Sequence, residues 1–275
     1  MERRTKIIAI ANQKGGVGKT TTVINLAAAL SARKRTVLVV DLDPQAHATL
    51  GLGLEKCQGV SLYPVLLGEK QIADVIQPTK WSCLNVIPSE VDLAGAELEL
   101  SMRDDRLEII RNALAPVKES GAFDYIILDC PPSLGIVMTS SLVASDGVLI
   151  PIQAEFLAMD GLALITGSIE RIRSAANPSL ELNGIVFTMV YSAAKLTQDV
   201  INEVRGHFGD KVYETLTLVG HSLGDKGKCL RKRFSVVCVD FSIPYTLNAN
   251  GSCLVALDSR ASNNVADFAQ SHPFP

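Results

Sequence analysis

Short runs of valine, isoleucine and leucine alternate along the chain with longer segments in which apolar residues recur every three or four positions. The short runs are typical of buried strands, and the longer segments are typical of amphipathic helices. The pattern predicts strands over residues 6–11, 36–42, 84–88, 125–129, 148–153, 184–189 and 212–216. It predicts helices over residues 19–32, 104–118, 134–144, 161–175 and 197–208. Strands joined by crossover helices indicate a doubly wound α/β fold, with a mainly parallel sheet flanked by helices.

Composition narrows the class of protein. The 275 residues are 47% hydrophobic, which is enough to bury one core without disulfides. The formal charge of −3 leaves the partner open, because a local basic patch can still bind DNA phosphates. The six cysteines form no C-x-x-C pair and the first residues lack an apolar signal segment, so a reducing cytoplasm is expected. No apolar run approaches the roughly 20 residues that span a bilayer, and no membrane partner is expected.

A glycine-rich segment follows the first predicted strand and leads directly into the first predicted helix. Its residues are Lys14, Gly15, Gly16, Val17, Gly18, Lys19, Thr20 and Thr21. Glycines let backbone amides close around phosphates at a helix N-terminus. In such a loop Lys19 reaches the β- and γ-phosphates of ATP, and the Thr20 hydroxyl binds Mg²⁺. Gln13 stands where the strict G-x-x-x-x-G-K-S/T pattern has its first glycine, and the alternative is a glycine-rich turn without a ligand.

Two other predicted strands end near carboxylates. By alternation, Asp41 and Asp43 point to the same side of the second strand. One of them is expected to orient the attacking water or to complete the Mg²⁺ shell, and Asp43 is preferred because it lies nearer the strand's end. The alternative is a turn or helix-capping aspartate ahead of Pro44. Asp129 ends the strand over 125–129 and is the carboxylate expected at the Mg²⁺ site, although such an aspartate on its own is usually structural.

Three segments together resemble the ParA/Soj branch of the ParA and MinD ATPases, which are P-loop NTPases. They are residues 14–21, 41–45 and 129–135, and the likeness covers roughly residues 5–216. The resemblance implies that Lys14 reaches across an ATP-sandwiched dimer to the partner's phosphates, that Asp43 supports hydrolysis and that Asp129 belongs to the magnesium site. The expected catalytic residues are therefore Lys14, Lys19 and Asp43, and the expected metal residues are Thr20, Asp43 and Asp129.

The resemblance also implies a function. ATP-bound homodimers of this family bind DNA non-specifically, a ParB-like partner stimulates their weak ATPase activity, and chromosomes or plasmids are partitioned. The expected location is the cytoplasm, with nucleoid association if DNA binding is retained. Two alternatives stay open. One is a nucleotide-binding module that has lost DNA binding or turnover, and the other is an ATPase that positions a protein cargo.

Two departures from the family pattern concern DNA binding and the end of the chain. Ala193 aligns where the family usually has a DNA-binding arginine, and Lys195 lies nearby as an alternative phosphate contact. One interpretation of the basic cluster at 226–233 is a DNA-binding patch, but such a run of charges is more typical of a solvated loop. The family's closing segments are not recognisable after residue 216, so we expect a ParA-like domain over 1–216 and an atypical tail over 217–275. The tail is a replacement domain, a diverged version or the product of a shifted reading frame, and the abrupt end of the likeness favours the shifted frame.

Overall fold

The structure of the chain is a computed structural model that describes residues 4–56, 58–190 and 195–218. The predictions for Ala193, for the basic cluster at 226–233 and for all but the first two residues of the tail lie outside the described residues. Lys195 is described and begins a helix.

All seven predicted strands are present, with ends shifted by a few residues at most. The strands are β1 (Lys6–Ile10), β2 (Val37–Asp41), β3 (Gln77–Pro78), β4 (Leu84–Ile87), β5 (Tyr125–Asp129), β6 (Gly147–Gln153), β7 (Glu181–Val190) and β8 (Val212–Leu218). They form one sheet in the order β3-β4-β2-β5-β1-β6-β7-β8. β1 pairs in parallel with β5 and β6, β2 with β4 and β5, and β7 with β8, whereas the short β3 pairs antiparallel with β4. The predicted mainly parallel sheet is confirmed.

The helices account for most of the connections between strands. They are α1 (Lys19–Ala32), α2 (His47–Gly51), α3 (Leu62–Leu66), α4 (Leu93–Ser101), α5 (Ile109–Ser120), α6 (Ile136–Ala144), α7 (Ala158–Ala175) and α8 (Lys195–Phe208). The helix predicted from residue 104 begins instead at Ile109, because residues 104–108 form turns. Sequence patterning missed α4, since its Leu98 is 77% exposed and obscures the apolar stripe. None of the helices in the described ranges has the length and apolarity needed to cross a bilayer.

The central strands carry continuous apolar runs because they are buried on both faces of the sheet. Every residue of β2 is buried, as are four of the five residues in β1 and in β5. Asp41 pairs in register with Asp129, and Asp129 pairs with Ile10. The carboxyl ends of these three strands therefore lie level with one another, at the edge where ligands of such folds bind.

By their contacts, the described residues divide into two units. The first unit takes its residues from Met1–Pro151 and Met159–Asn183, and the second from Ile152–Ala158 and Gly184–Pro275. The phosphate loop and all three aspartates discussed above belong to the first unit. The candidate site can therefore be described within that unit alone.

The second unit contains β8, α8 and most of β7. The pairing of β7 with β8 shifts register between Phe187 and Val190, and Met189 in this stretch has a φ of 51°. The Thr188 hydroxyl donates a hydrogen bond to the Ile152 carbonyl at 3.2 Å. A left-handed residue at a register shift is typical of a β-bulge, which bends the strand locally.

Candidate active site

The loop between β1 and α1 owes its shape to glycine. Gly16 has a φ of 75° and Gly18 a φ of 83°, and glycine adopts both values without strain. A Cβ added at Gly15 or Gly16 would meet no heavy atom within 4 Å, so the loop borders open space at these positions. Gly18 is the N-cap of the 14-residue helix α1 and provides no side-chain cap. The uncapped N-terminus of a long helix, with its partial positive charge, suits an anion such as phosphate.

Lys19 is held inside this loop. It is the first residue of α1 and only 7% exposed, and its Nζ donates a hydrogen bond to the Lys14 carbonyl oxygen at 3.1 Å. Burial lowers the pKa of Lys19, and the nearby carboxylates of Asp129 and Asp43 counteract this shift. A buried ammonium group next to a glycine-rich loop at a helix N-terminus is the arrangement expected for binding phosphate oxygens.

Asn12 fixes the start of the loop, and the sequence patterns did not single it out. Its amide nitrogen donates to the Pro151 carbonyl at 2.8 Å, and its amide oxygen accepts from the Lys14 N–H at 3.0 Å. Asn12 is 2% exposed, and its bond to Pro151 is buried whereas its bond to Lys14 is partly buried. The only sequence signal for this role is a polar residue directly after an apolar strand. As a result the backbone of Lys14 is fixed while its side chain is exposed.

Asp129 is a buried carboxylate at the end of β5. It is 1% exposed, and neither carboxyl oxygen has a hydrogen-bond partner of good geometry within the described ranges. Burial raises the pKa of Asp129 well above its usual value, and the charge of Asp41 raises it further. The Thr20 hydroxyl lies close enough to lower this pKa, and the charge of Lys19 acts in the same direction. Burying a carboxylate without hydrogen-bond partners costs free energy, and in native structures such a group usually has a function.

A divalent cation gives such a reason, and the residues present fit Mg²⁺. Asp129 and Thr20, both expected at the metal site, are brought together and offer the oxygen ligands that Mg²⁺ prefers. The described residues contain no group of three or more carboxylate, histidine or cysteine side chains that could hold a metal by themselves. Mg²⁺ usually keeps waters and takes substrate phosphates as ligands, so one carboxylate and one hydroxyl suffice.

Asp41 lies beside Asp129 in the sheet but is fully occupied by protein donors. Its Oδ2 accepts from the backbone N–H and the hydroxyl of Thr49, both at 2.7 Å, and its Oδ1 accepts from the Asp43 N–H at 3.2 Å. Burial raises the pKa of Asp41 to about 6, and the Thr49 hydrogen bonds oppose that rise. The Thr49 hydroxyl also accepts from the Ser89 N–H at 3.0 Å. Asp41 therefore holds the segment after β2 in place. The sequence patterns did not predict the part that Thr49 and Ser89 play in this hydrogen-bond network.

Asp43 is the more accessible of the two aspartates near the end of β2. It is half-buried, and its Oδ1 accepts from the Gln45 N–H at 2.9 Å. Its carbonyl accepts from the N–H of Ala46, a fully buried residue with a φ of 56°. A non-glycine residue in the left-handed region costs free energy, and such residues cluster at functional sites. Asp43 is close enough to influence the pKa of both Lys19 and Asp129. Its roles in orienting water and at the Mg²⁺ site stay predictions.

The remaining predicted loop residues are Val17 and Thr21. Val17 is 1% exposed and packs into the core. The Thr21 carbonyl accepts from the Asn25 amide at 2.8 Å within α1. Cys130 is fully buried, and burial raises the pKa of its thiol to about 12, which keeps it protonated and unreactive.

Comparison with known proteins agrees with this geometry. The AAA domain family matches residues 5–182 of the chain. The chromosome partitioning protein ParA of Caulobacter vibrioides is 44% identical over 212 residues, which cover 77% of this chain and 79% of that protein. The sporulation initiation inhibitor protein Soj of Bacillus subtilis is also 44% identical over 212 residues, covering 77% of this chain and 83% of its own length.

A solved structure shares the fold and contains ligands. It is a crystal structure of cobyrinic acid a,c-diamide synthase from Mycobacterium smegmatis with bound ATP analog and magnesium. It is 38% identical to this chain, with a TM-score of 0.69, and the match covers 79% of this chain and 86% of the other.

Proposed function

Because the chain belongs to the ParA/Soj family of partitioning ATPases, we propose that it binds ATP with Mg²⁺ and works as an ATP-driven switch in chromosome or plasmid partitioning. One observation carries this proposal. A buried lysine next to a glycine loop, Lys19, lies near the buried carboxylate of Asp129, whose oxygens have no hydrogen bond of good geometry within the described ranges. Such a pair suits a ligand that combines an anion with a divalent cation, as MgATP does.

The residues divide the work within one subunit. Lys19 and the backbone amides of residues 15–21 bind the phosphates. The Thr20 hydroxyl and Asp129, directly or through water, hold Mg²⁺, which when bound neutralises charge on the phosphate oxygens. Asp43 orients the attacking water, because its carboxylate is accessible, whereas the carboxylate of Asp41 is buried and accepts two hydrogen bonds from Thr49. Hydrolysis is expected to be slow until a ParB-like partner stimulates it.

Lys14 is proposed to act across a homodimer. Its N–H is fixed by Asn12 and its carbonyl by Lys19, while its side chain is exposed. A cationic side chain on a fixed backbone can reach the phosphates of a second subunit in the manner of an arginine finger. Lys19 then serves the chain's own nucleotide and Lys14 serves that of the partner.

DNA binding is proposed to be non-specific and weak. Helix α8 carries the basic residues Lys195 and Arg205, but also the acidic residues Asp199 and Glu203. Its charge is therefore balanced rather than strongly basic, and few phosphate contacts are expected from it.

We assign the ATPase to residues 1–216, in line with the 212 residues matched by the relatives, and treat 217–275 as an atypical tail. Translating the other two frames of the gene past Thr215 tests the shifted frame, and finding no family-like segment there would contradict it.

The main test compares variants of Lys14 and Lys19, because the proposal gives these two lysines different roles. In the full-length chain, Lys19→Ala should weaken ATP binding about 10- to 100-fold, because it removes charge-assisted hydrogen bonds to phosphate. Lys14→Ala should leave ATP affinity within about threefold and reduce turnover by about 1,000-fold, as loss of a group acting across the interface does. Calorimetry measures binding, phosphate release measures turnover, and sedimentation with ATP and with ADP measures dimerisation.

Lys56→Ala is the matched control, because Lys56 is exposed and lies outside the loop. Equal loss of ATP binding in the Lys14 and Lys19 variants would contradict the division of labour. Nucleotide binding without any turnover, alone or with a ParB-like partner and DNA, would support the alternative of a binding module.

A further inference from the structure

The helix that follows the Asp129 loop has its N-terminus bound by a carboxylate from a distant part of the chain. Gly135 is the N-cap of α6 and has no side chain to accept the first N–H groups. Glu97 of α4 takes this role, accepting from the Ile136 N–H at 2.6 Å and from the Val137 N–H at 3.3 Å. A negative charge at this position also interacts favourably with the helix dipole.

This contact depends on glycine at position 135. A Cβ built at Gly135 would overlap the carboxylate of Glu97. Gly135 has φ −78° and ψ −168°, an extended conformation that any residue adopts. An alanine at 135 would therefore leave the backbone unstrained and would act mainly by displacing the end of the Glu97 side chain.

Residues 130–135 are thereby held at both ends. At one end, Asp129 and Cys130 are buried, and Asp129 lies close enough to Lys19 for their charges to interact. At the other end, Glu97 fixes the start of α6. Residues 132–134 between these ends are exposed.

We propose that Glu97 is a positioning residue for the ATPase site: by fixing the far end of loop 130–135, it keeps Asp129 where it serves Mg²⁺. This inference rests on the proposed function. Glu97 binds the backbone at the start of α6 and acts through the loop, so its loss impairs turnover and the use of Mg²⁺ rather than the binding of phosphate by Lys19.

The test compares Glu97→Ala, Glu97→Gln and Gly135→Ala in the full-length chain, with Glu99→Gln and Gly95→Ala as controls on the same helix as Glu97. A Cβ at Gly95 makes only an ordinary contact, 3.6 Å from Glu99. We expect Glu97→Ala and Gly135→Ala to lower kcat about tenfold and to raise the Mg²⁺ concentration for half-maximal activity, with KM for ATP within about twofold. Glu97→Gln keeps one acceptor oxygen and should recover part of the loss. The controls should match the unmodified chain.

Two readouts do not depend on turnover. Amide exchange of the peptide spanning 130–138, without nucleotide, should be faster in Glu97→Ala and Gly135→Ala than in the controls. Calorimetry with ADP should show that Mg²⁺ strengthens nucleotide binding less in Glu97→Ala than in the unmodified chain. If the unmodified chain hydrolyses no ATP, the proposed function fails, and this calorimetric comparison still decides the inference.

The double variant Glu97→Ala/Gly135→Ala gives the sharpest result. If alanine at 135 acts by displacing Glu97, the double variant should be no worse than either single variant, which is strongly non-additive. Additive losses in kcat, or unchanged Mg²⁺ dependence in Glu97→Ala, would overturn the inference. A fall in thermal stability with kcat and Mg²⁺ dependence unchanged would show that Glu97 is merely structural.

Discussion

Replacing Thr49 with valine should destabilise the fold, and more at pH 8 than at pH 5. Thr49 is fully buried, donates its hydroxyl to Asp41 at 2.7 Å and accepts from the Ser89 N–H at 3.0 Å. Valine has nearly the same shape but no hydroxyl. The change therefore removes both hydrogen bonds and leaves little change in packing.

The expected size follows from these two bonds. Loss of a hydrogen bond to an ionised group costs about 1.5–3 kcal/mol, and a buried N–H left without an acceptor, here that of Ser89, costs about 1–3 kcal/mol. Adding typical values, the free energy of unfolding should fall by about 3–5 kcal/mol at pH 8, where Asp41 is ionised.

The pH dependence follows from the raised pKa of Asp41. Burial raises this pKa to about 6, so the folded chain holds the proton more tightly than the unfolded chain. The resulting stabilisation is present below about pH 4 and is lost as the pH rises through about 6. The Thr49 hydroxyl offsets part of that loss because it favours the ionised form. At pH 5 Asp41 is mostly protonated and the bond is worth only about 1 kcal/mol, so Thr49→Val should cost about 1–2 kcal/mol less there.

Urea unfolding at pH 5 and pH 8, followed by circular dichroism, measures both effects, provided that the slope m is unchanged. Thr49→Ser is the matched control, since it keeps the hydroxyl and loses one methyl group, at about 1 kcal/mol irrespective of pH. The reasoning is wrong if valine costs no more than serine at pH 8, or if its cost is the same at both pH values.

Three further predictions concern the site and DNA. Asp43→Ala should retain ATP binding and accumulate an ATP-bound dimer in sedimentation, with turnover reduced about 100-fold or more, because the water loses its orienting carboxylate; unchanged turnover would refute that role. Each phosphate contact contributes about 0.9 to the magnitude of the slope of log affinity against log salt concentration. Because few phosphate contacts are expected, titration of a labelled non-specific duplex should show weak binding in the presence of ATP, and the affinity should depend only slightly on salt. Tight and steeply salt-sensitive binding with ATP but not ADP would show that Lys195 or the tail supplies the missing contacts. With its pKa raised to about 12, Cys130 should resist iodoacetamide at pH 8 in the folded chain while the half-exposed Cys83 reacts, as peptide mass spectrometry can measure. Equal alkylation of the two would contradict the burial of Cys130.

The sequence alone was sufficient for the phosphate loop and for every described strand except the two-residue β3. Strands buried on both faces need uninterrupted apolar residues, so β1, β2 and β5 are visible as short apolar runs. The phosphate loop is equally legible, because the glycines with positive φ, the lysine and the helix start are all close neighbours in sequence. Features formed by residues that are close in sequence can therefore be predicted from the sequence.

What the sequence could not decide depends on which strands and helices become neighbours. Asp41 and Asp43 have equivalent positions in the strand pattern. Only the packing of Thr49 beside Asp41 shows that the Asp41 carboxylate is the one held by buried hydrogen bonds. Asn12 and its partner Pro151 are 139 residues apart in the chain. Glu97 lies on a helix that patterning missed, because its outer face also carries an exposed leucine. Hydrogen bonds across such distances depend on strand order and on burial, which no local run of residues encodes, so only the tertiary structure reveals them.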